Sequence, residues 1–300
     1  MYKCVINECD TIAVNLTYSP VADIKNWQIG CFWLILIFIW RLILFAFENF
    51  DIKLDTEYIG RKFFYLEETD STNLLLSKNV KEFKDNGTVV LAESQSKGKG
   101  RIDRTWSSAK GLNLTFSILL TDKEILSIAP NIINLASSLS VATSIENLFQ
   151  LNASLKWPND VLISNKKVAG ILLESSTKGK SINRIIVGIG VNVNQVTFPT
   201  DFKIPATSVK NEFKSNVERE LLLSEILNQF EYFLETAIKD PGYILKEWRS
   251  NCKMIGDKIT ISENDKMKSG IFDDIDDEGF LLLRTRDGLE KIISGDVSIV

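Results

Sequence analysis

Between Ser154 and Asn194 four short runs, "SLKW", "DVLIS", "KVAGILLES" and "RIIVGIGVNVN", follow one another with little chain between them. The last three are mostly apolar with Val and Ile in each, and turn-forming residues separate the runs. They read as closely spaced strands, and "SNKK" between the second and third has hairpin composition. Upstream, "RKFFYLEE", "GTVVLAES" and "GLNLTFSILL" read as further strands. "DSTNLLLSKNVKEF" reads as a helix whose start is marked by the capping residues Asp70, Ser71 and Thr72. A second helix starts at Pro130, a residue favoured in a first turn. Downstream, "VERELLLSEILNQFEYFLETAI" is an amphipathic helix and "PGYILKEWRS" another, after a looser stretch from Gln195 to Lys214. Past Gly256 only short strands and turns remain, the pattern of a small β-barrel. From Arg61 onward the chain is therefore expected to be α+β. We expect three parts: an N-terminal extension (1–60), a catalytic domain (61–254) and a C-terminal β-domain (255–300).

The chain of 300 residues carries a net charge of −4 and contains no histidine. That excludes Ser-His-Asp and Cys-His nucleophile systems and every His-ligated metal site. Chemistry must run on Lys, Arg, carboxylates, amides and backbone. Cys4, Cys9, Cys31 and Cys252 match no zinc spacing and suggest no disulfide framework, which fits a reducing, cytoplasmic compartment. The N-terminal extension stands apart. Ile29–Phe47 is apolar with one charge, Arg41, and reaches the length of about 20 residues that a membrane span needs. It reads as a single-pass anchor, as a segment docked on the domain, or as translation from a start placed too far upstream.

Four places could carry chemistry. "ESQSKGKGRIDRTWSS" concentrates Lys97, Lys99, Arg101 and Arg104 among Gly98 and Gly100 in an otherwise acidic chain. Glycines let a backbone approach a phosphate and the cations hold it, so this is an anion-binding loop unless it is simply a solvated turn. In "LKWPNDV", Pro158 forces Trp157 out of helical geometry, so a strand runs into a rigid turn holding Asn159 and Asp160. "NKKVAGILLES" puts Lys166 and Lys167 at the mouth of a strand whose mid-strand Gly170 suggests close approach by a ligand or another backbone. In "VGIGVNVN" the alternation would set Gly188, Gly190, Asn192 and Asn194 on one strand face, a flat surface flanked by amides.

In this order and at these spacings, "DSTN", "SQSKGKGRIDRTWSS", "LKWPNDV", "KKVAGIL" and "GIGVNVN" resemble the motifs of the biotin–protein ligase family, from about Phe63 to Val300. The resemblance implies a mixed-sheet catalytic domain of the biotin/lipoate ligase fold with a small C-terminal SH3-like β-barrel. It implies that Ser71, Thr72, Asn73, Gln95, Lys99, Gly100, Arg101, Lys167 and Gly170 contact biotin. Lys99, Arg101, Arg104, Trp106, Lys167 and Asn192 fall on the ATP side, with Trp106 more a packing group than a contact. No protein-borne metal site is implied, although Mg²⁺ is required alongside ATP. Lys99 stands where many members have Arg, and Asp103 where members usually have Gly. The helix-turn-helix repressor domain of some bacterial members has no counterpart in residues 1–60.

The reaction implied has two steps. Biotin and ATP give biotinyl-5′-AMP and pyrophosphate; a lysine of a carboxylase's biotin carrier protein then takes the biotinyl group. Lys167, Arg101 and Asp160 are the expected catalytic residues, Asp160 as the group that orients the carrier ammonium or accepts its proton. A homodimer formed through the sheet is common in the family. The rival readings are a lipoate or octanoate ligase on the same fold and a membrane-tethered binding module without catalysis. Because every motif lies after Phe63, removing residues 1 to about 54 is expected to leave an active ligase.

Overall fold

The computed structural model describes residues 4–5, 45–78, 81–102, 104–200, 202–263 and 266–299. In chain order the elements are β1 (Cys4–Val5), α1 (Phe47–Lys53), β2 (Phe63–Leu66), α2 (Thr72–Ser77), β3 (Val89–Ala92) and β4 (Leu114–Leu120). Then come α3 (Lys123–Ser127), α4 (Pro130–Phe149), β5 (Ala153–Lys156), β6 (Asp160–Ile163), β7 (Lys166–Lys178) and β8 (Ser181–Val191). The chain continues with α5 (Val209–Phe213), α6 (Arg219–Lys239), α7 (Pro241–Asn251), β9 (Lys258–Glu263), β10 (Lys266–Ile275), β11 (Leu281–Thr285), β12 (Gly288–Ile292) and β13 (Asp296–Ile299).

The larger sheet runs β1-β2-β3-β4-β8-β7-β6-β5. The β1–β2 and β2–β3 pairs are parallel and the other pairs antiparallel, so the sheet is mixed as expected. "SNKK" does turn the β6–β7 hairpin, with Ser164 and Asn165 both at positive φ. Alternation decides which face does what. On β4, Leu114, Phe116, Ile118 and Leu120 enter the main core; on β8, Ile185, Val187, Ile189 and Val191 do the same. That face is covered by α4, α6 and α7. The opposite face carries Thr115, Ser117, Gly188 and Gly190, small and polar groups that leave room above the sheet.

The second sheet, β12-β11-β10-β9-β13, is antiparallel throughout, as expected of the small C-terminal β-domain. Its inner residues Ile259, Ile261, Phe272 and Leu283 join the same core as the larger sheet. Trp157 Nε1 donates to Gly279 O at 3.1 Å, and Arg249 bonds Asp274 and the Ile275 carbonyl. The KWPND turn is thereby fastened to the C-terminal sheet.

Three expectations change. The helix expected over "DSTNLLLSKNVKEF" is only Thr72–Ser77, capped by Ser71, because Lys78 turns extended. Strand β8 ends at Val191, so Asn192 and Asn194 leave the glycine face. Packing also starts well before residue 61: Phe45, Phe50, Leu54 and Ile59 are core residues. Glu220 accepts from Ala46 N, and the Glu231 carboxylate accepts the backbone N–H groups of Glu57, Tyr58 and Ile59. A boundary at 61 therefore cuts through packed core, and cutting at residue 54 would strip three buried apolar side chains from it. Among the described residues no helix is long and apolar enough to cross a membrane. The Ile29–Phe47 run lies outside the described residues except for Phe45, Ala46 and Phe47.

Candidate active site

The glycine face of β4 and β8 is the floor of a cavity of about 490 Å³. Glycine is required there by what sits on it. A Cβ on Gly188 would lie 2.3 Å from Asn73 Oδ1, and one on Gly190 would lie 2.2 Å from the Trp106 ring. The first turn of α2 forms one wall. Gln95 Oε1 accepts from Thr72 N at 2.7 Å and Thr72 Oγ1 at 3.1 Å, and Ser117 Oγ lies 2.6 Å from both Thr72 Oγ1 and Asn73 Oδ1. Asn73 Nδ2 donates to Glu174 at 2.8 Å. Ser71 caps the helix, and Ser71, Thr72 and Asn73 are all buried at the cavity's edge. This wall offers closely spaced donors and acceptors held in place by one another, which suits a small polar head group.

The basic loop crosses the open side as a hairpin. Lys99 bridges Thr105, Gly100 N donates to Arg104 O at 2.6 Å, and Trp106 N donates to Gly98 O at 3.0 Å. The chain can fold this tightly because Gly98 has no room for a side chain, with Trp106 O 2.3 Å from the position of a Cβ. The Trp106 indole lies over Gly190 and near Gly170; its Nε1 is buried without a partner. It walls the cavity rather than standing in solvent. Arg104 reaches across to Asp296 of β13, an ion pair between the loop and the C-terminal sheet. Asp103 lies outside the described residues.

A charged cluster closes the other end. Asp160, opening β6, lies with Oδ1 2.6 Å from Lys167 Nζ and Oδ2 3.8 Å from Lys156 Nζ. Arg101 Nη1 points at Asn159 Oδ1 at 3.4 Å, and Asn159 is itself fixed by donating to Ile171 O at 2.6 Å. Burial lowers the pKa of the Arg101 guanidinium, opposed by Asp160. Burial likewise pushes the Lys156 ammonium down, again opposed by Asp160. Lys167 Nζ also stands 5.7 Å from the Trp106 ring centroid, within cation–π range. Excess positive charge in a partly desolvated pocket is an anion site, and its size suits a nucleotide beside a small acid.

The residues expected to be catalytic or to contact biotin or ATP all line this one cavity, whereas Lys97, Lys166 and Asn194 do not. Asn192 lines it from beyond the strand, where its Nδ2 donates to Thr207 O at 3.0 Å. It thereby ties the strand end to the 202–207 segment, whose Phe202, Lys203 and Ile204 line the mouth. Thr115 and Ser117 fall in none of the sequence motifs, although polar residues alternating through an otherwise apolar strand are a usable signal for them. Lys156 was visible only as part of a turn motif. Asp296 gave no local signal at all.

Residues 65–192 match the biotin/lipoate A/B protein ligase family, and residues 255–300 match the biotin protein ligase C terminal domain. The bifunctional ligase/repressor BirA of Bacillus spizizenii is 32% identical over 249 residues, covering 82% of this chain and 76% of that protein. The biotin–[acetyl-CoA-carboxylase] ligase of Paracoccus denitrificans is 31% identical, covering 77% of this chain and 98% of that one. Among solved structures, the biotin protein ligase of Aquifex aeolicus in complex with biotin and ATP superposes with a TM-score of 0.70 at 30% identity. It covers 80% of this chain and 99% of its own.

Proposed function

This chain belongs to the biotin protein ligase family, and from that premise we propose that it activates biotin with ATP and passes the biotinyl group to a lysine of a carboxylase's biotin carrier domain. The observation that supports this most is the joining, in one cavity, of the hydrogen-bonding wall at Thr72, Asn73 and Gln95 to the cluster of Arg101, Lys156, Lys167 and Asp160. Biotin's ureido end fits the first and the triphosphate the second, with the carboxylate and α-phosphate meeting between them.

In the first step a carboxylate oxygen of biotin attacks the α-phosphorus and the bond to pyrophosphate breaks. That carboxylate is ionised at neutral pH, so no general base is needed and the absence of histidine costs nothing. What must be overcome is the repulsion of two anions. Lys99, Arg101, Arg104 and Lys167 supply fixed positive charge where negative charge concentrates, the usual source of the largest catalytic term. Among the described residues no group of three or more Asp, Glu or Cys could cage a metal ion. Mg²⁺ would be carried chiefly by the phosphates, as is usual for a nucleotide-bound ion.

In the second step the carrier amine must lose a proton before it attacks. In this reading Asp160, 2.6 Å from Lys167 Nζ, takes that proton, and Lys167 is the cation for the acyl phosphate. Arg104 is paired with Asp296, so engaging a phosphate requires it to exchange one anion for another. The test is pyrophosphate release by the full-length chain with biotin and ATP, then biotin incorporation into a biotin carrier domain. Release with lipoate but not biotin would replace this reading with the lipoate one, and release without incorporation would reject the carrier step.

A further inference from the structure

Asp160 stands between two lysines that differ in freedom. Lys167, near the start of β7, keeps 28% of its side chain exposed, while Lys156, ending β5, keeps 9%. Lys156 is paired directly opposite Asp160 across the β5–β6 ladder, so backbone hydrogen bonds fix their approach. The positive charges of Lys167, Arg104 and Arg101 all act against the Lys156 ammonium, and Lys156 in turn acts on the buried Cys252 thiol. Burial pushes that thiol up to about 11, so it is neutral at physiological pH and supplies no counter-charge. Among the described residues Asp160 is the acid within ion-pair distance of Lys156.

The two lysines must behave differently once an acyl phosphate is bound. Lys167, long and partly exposed, can turn from Asp160 to the phosphate oxygens. Lys156 is enclosed and stays. We propose that Lys156 is a positioning residue for acyl transfer: it holds the Asp160 carboxylate in place after Lys167 has left it for the acyl phosphate. This rests on the reading of Asp160 as the acceptor of the carrier proton. In that step Asp160 takes one proton from the carrier ammonium, and the freed nitrogen lone pair attacks the carbonyl carbon of biotinyl-AMP. The C–N bond forms, the C–O bond to the phosphate breaks, and its electron pair leaves with AMP. The nitrogen's second proton goes to water.

A double-mutant cycle tests it, with preformed biotinyl-5′-AMP bound to the full-length chain and single-turnover transfer to a biotin carrier domain as the readout. Lys156→Met is expected to slow transfer by about 10- to 100-fold, the loss of one charge-assisted contact. In the Asp160→Asn background it should slow transfer no further, because the two act as a unit. Lys156→Arg should retain most of the rate, and pyrophosphate release should fall less than transfer in Lys156→Met. Additive losses, or equal losses in both half-reactions, would show that Lys156 acts on structure or on the phosphate instead and would overturn the proposal. Wild-type transfer by Asp160→Asn would instead reject the reading of Asp160 itself. Should Lys156→Met not fold, Lys156→Gln keeps a polar group in the buried position and runs the same cycle.

Discussion

Gly190→Ala probes the construction of the cavity most directly. The added methyl carbon would lie 2.2, 2.4 and 2.6 Å from the Trp106 Cε2, Cζ2 and Nε1 atoms, all closer than real contacts allow. The backbone cannot give way, because Gly190 is laddered on both sides, to Thr115 of β4 and Gly170 of β7. The indole must therefore move. Its displacement strains the bond from Trp106 N to Gly98 O that closes the loop and removes the ring from beneath Lys167. Overpacking of this kind costs about 1–3 kcal/mol. For a protein of this size each kcal/mol lowers the melting temperature by about 2–4 °C. Because the clash falls on the cavity wall, ligand affinity should fall further, by about tenfold or more for 1.4 kcal/mol of lost contact. Calorimetric titration of biotin and ATP, with thermal melts, measures both. Gly179→Ala is the control: Gly179 sits in the β7–β8 turn at φ +67° with nothing within 4 Å of the new carbon. It should lose a little stability and no affinity. Wild-type affinity in Gly190→Ala would mean that the indole leaves the cavity freely and that its packing does not shape the site.

Lys167→Ala removes a partly exposed side chain and leaves Asp160 its second lysine, so folding should persist. Pyrophosphate release should drop by about 10²–10³, the size of one charged contact in the transition state; an unchanged rate would refute its role. Phe50 is fully buried, with its ring centroid 4.7 Å from that of Phe63, so Phe50→Ala should cost about 3–5 kcal/mol in denaturant titration. For the same reason a chain beginning at residue 55 should melt earlier than one beginning at residue 45, and equal melting temperatures would show that α1 contributes nothing. Arg219 and Glu93 form a buried bidentate pair at 2.6 and 3.0 Å. Arg219→Met strands the carboxylate and should cost about 3–5 kcal/mol, with Glu93→Gln added to it recovering part of the loss.

Much of this protein was legible in its sequence because the signals were local. A strand's alternation is set by its own residues, so β4 and β8 could be assigned from side-chain order. Ser71 caps α2 with its own hydroxyl, and Pro130 opens α4 from its own ring geometry. The motif residues were likewise recognisable because each cluster is contiguous. What failed locally was extent: α2 stops after Ser77 and β8 after Val191, where tertiary contacts take over the backbone. The rest depended on pairs that no local pattern encodes. Gly190 is a packing requirement only because Trp106 folds back over it, and Phe50 is core only because Phe63 and α6 come to meet it. Lys156 became a candidate only when the β5–β6 ladder set it opposite Asp160 and the fold buried it. Asp296 came to face Arg104 only through docking of the C-terminal sheet. Propensity and periodicity act within a few residues along the chain, so they specify the elements. A buried charge or a filled cavity depends on groups far apart in sequence, and only the packed structure decides which of them meet.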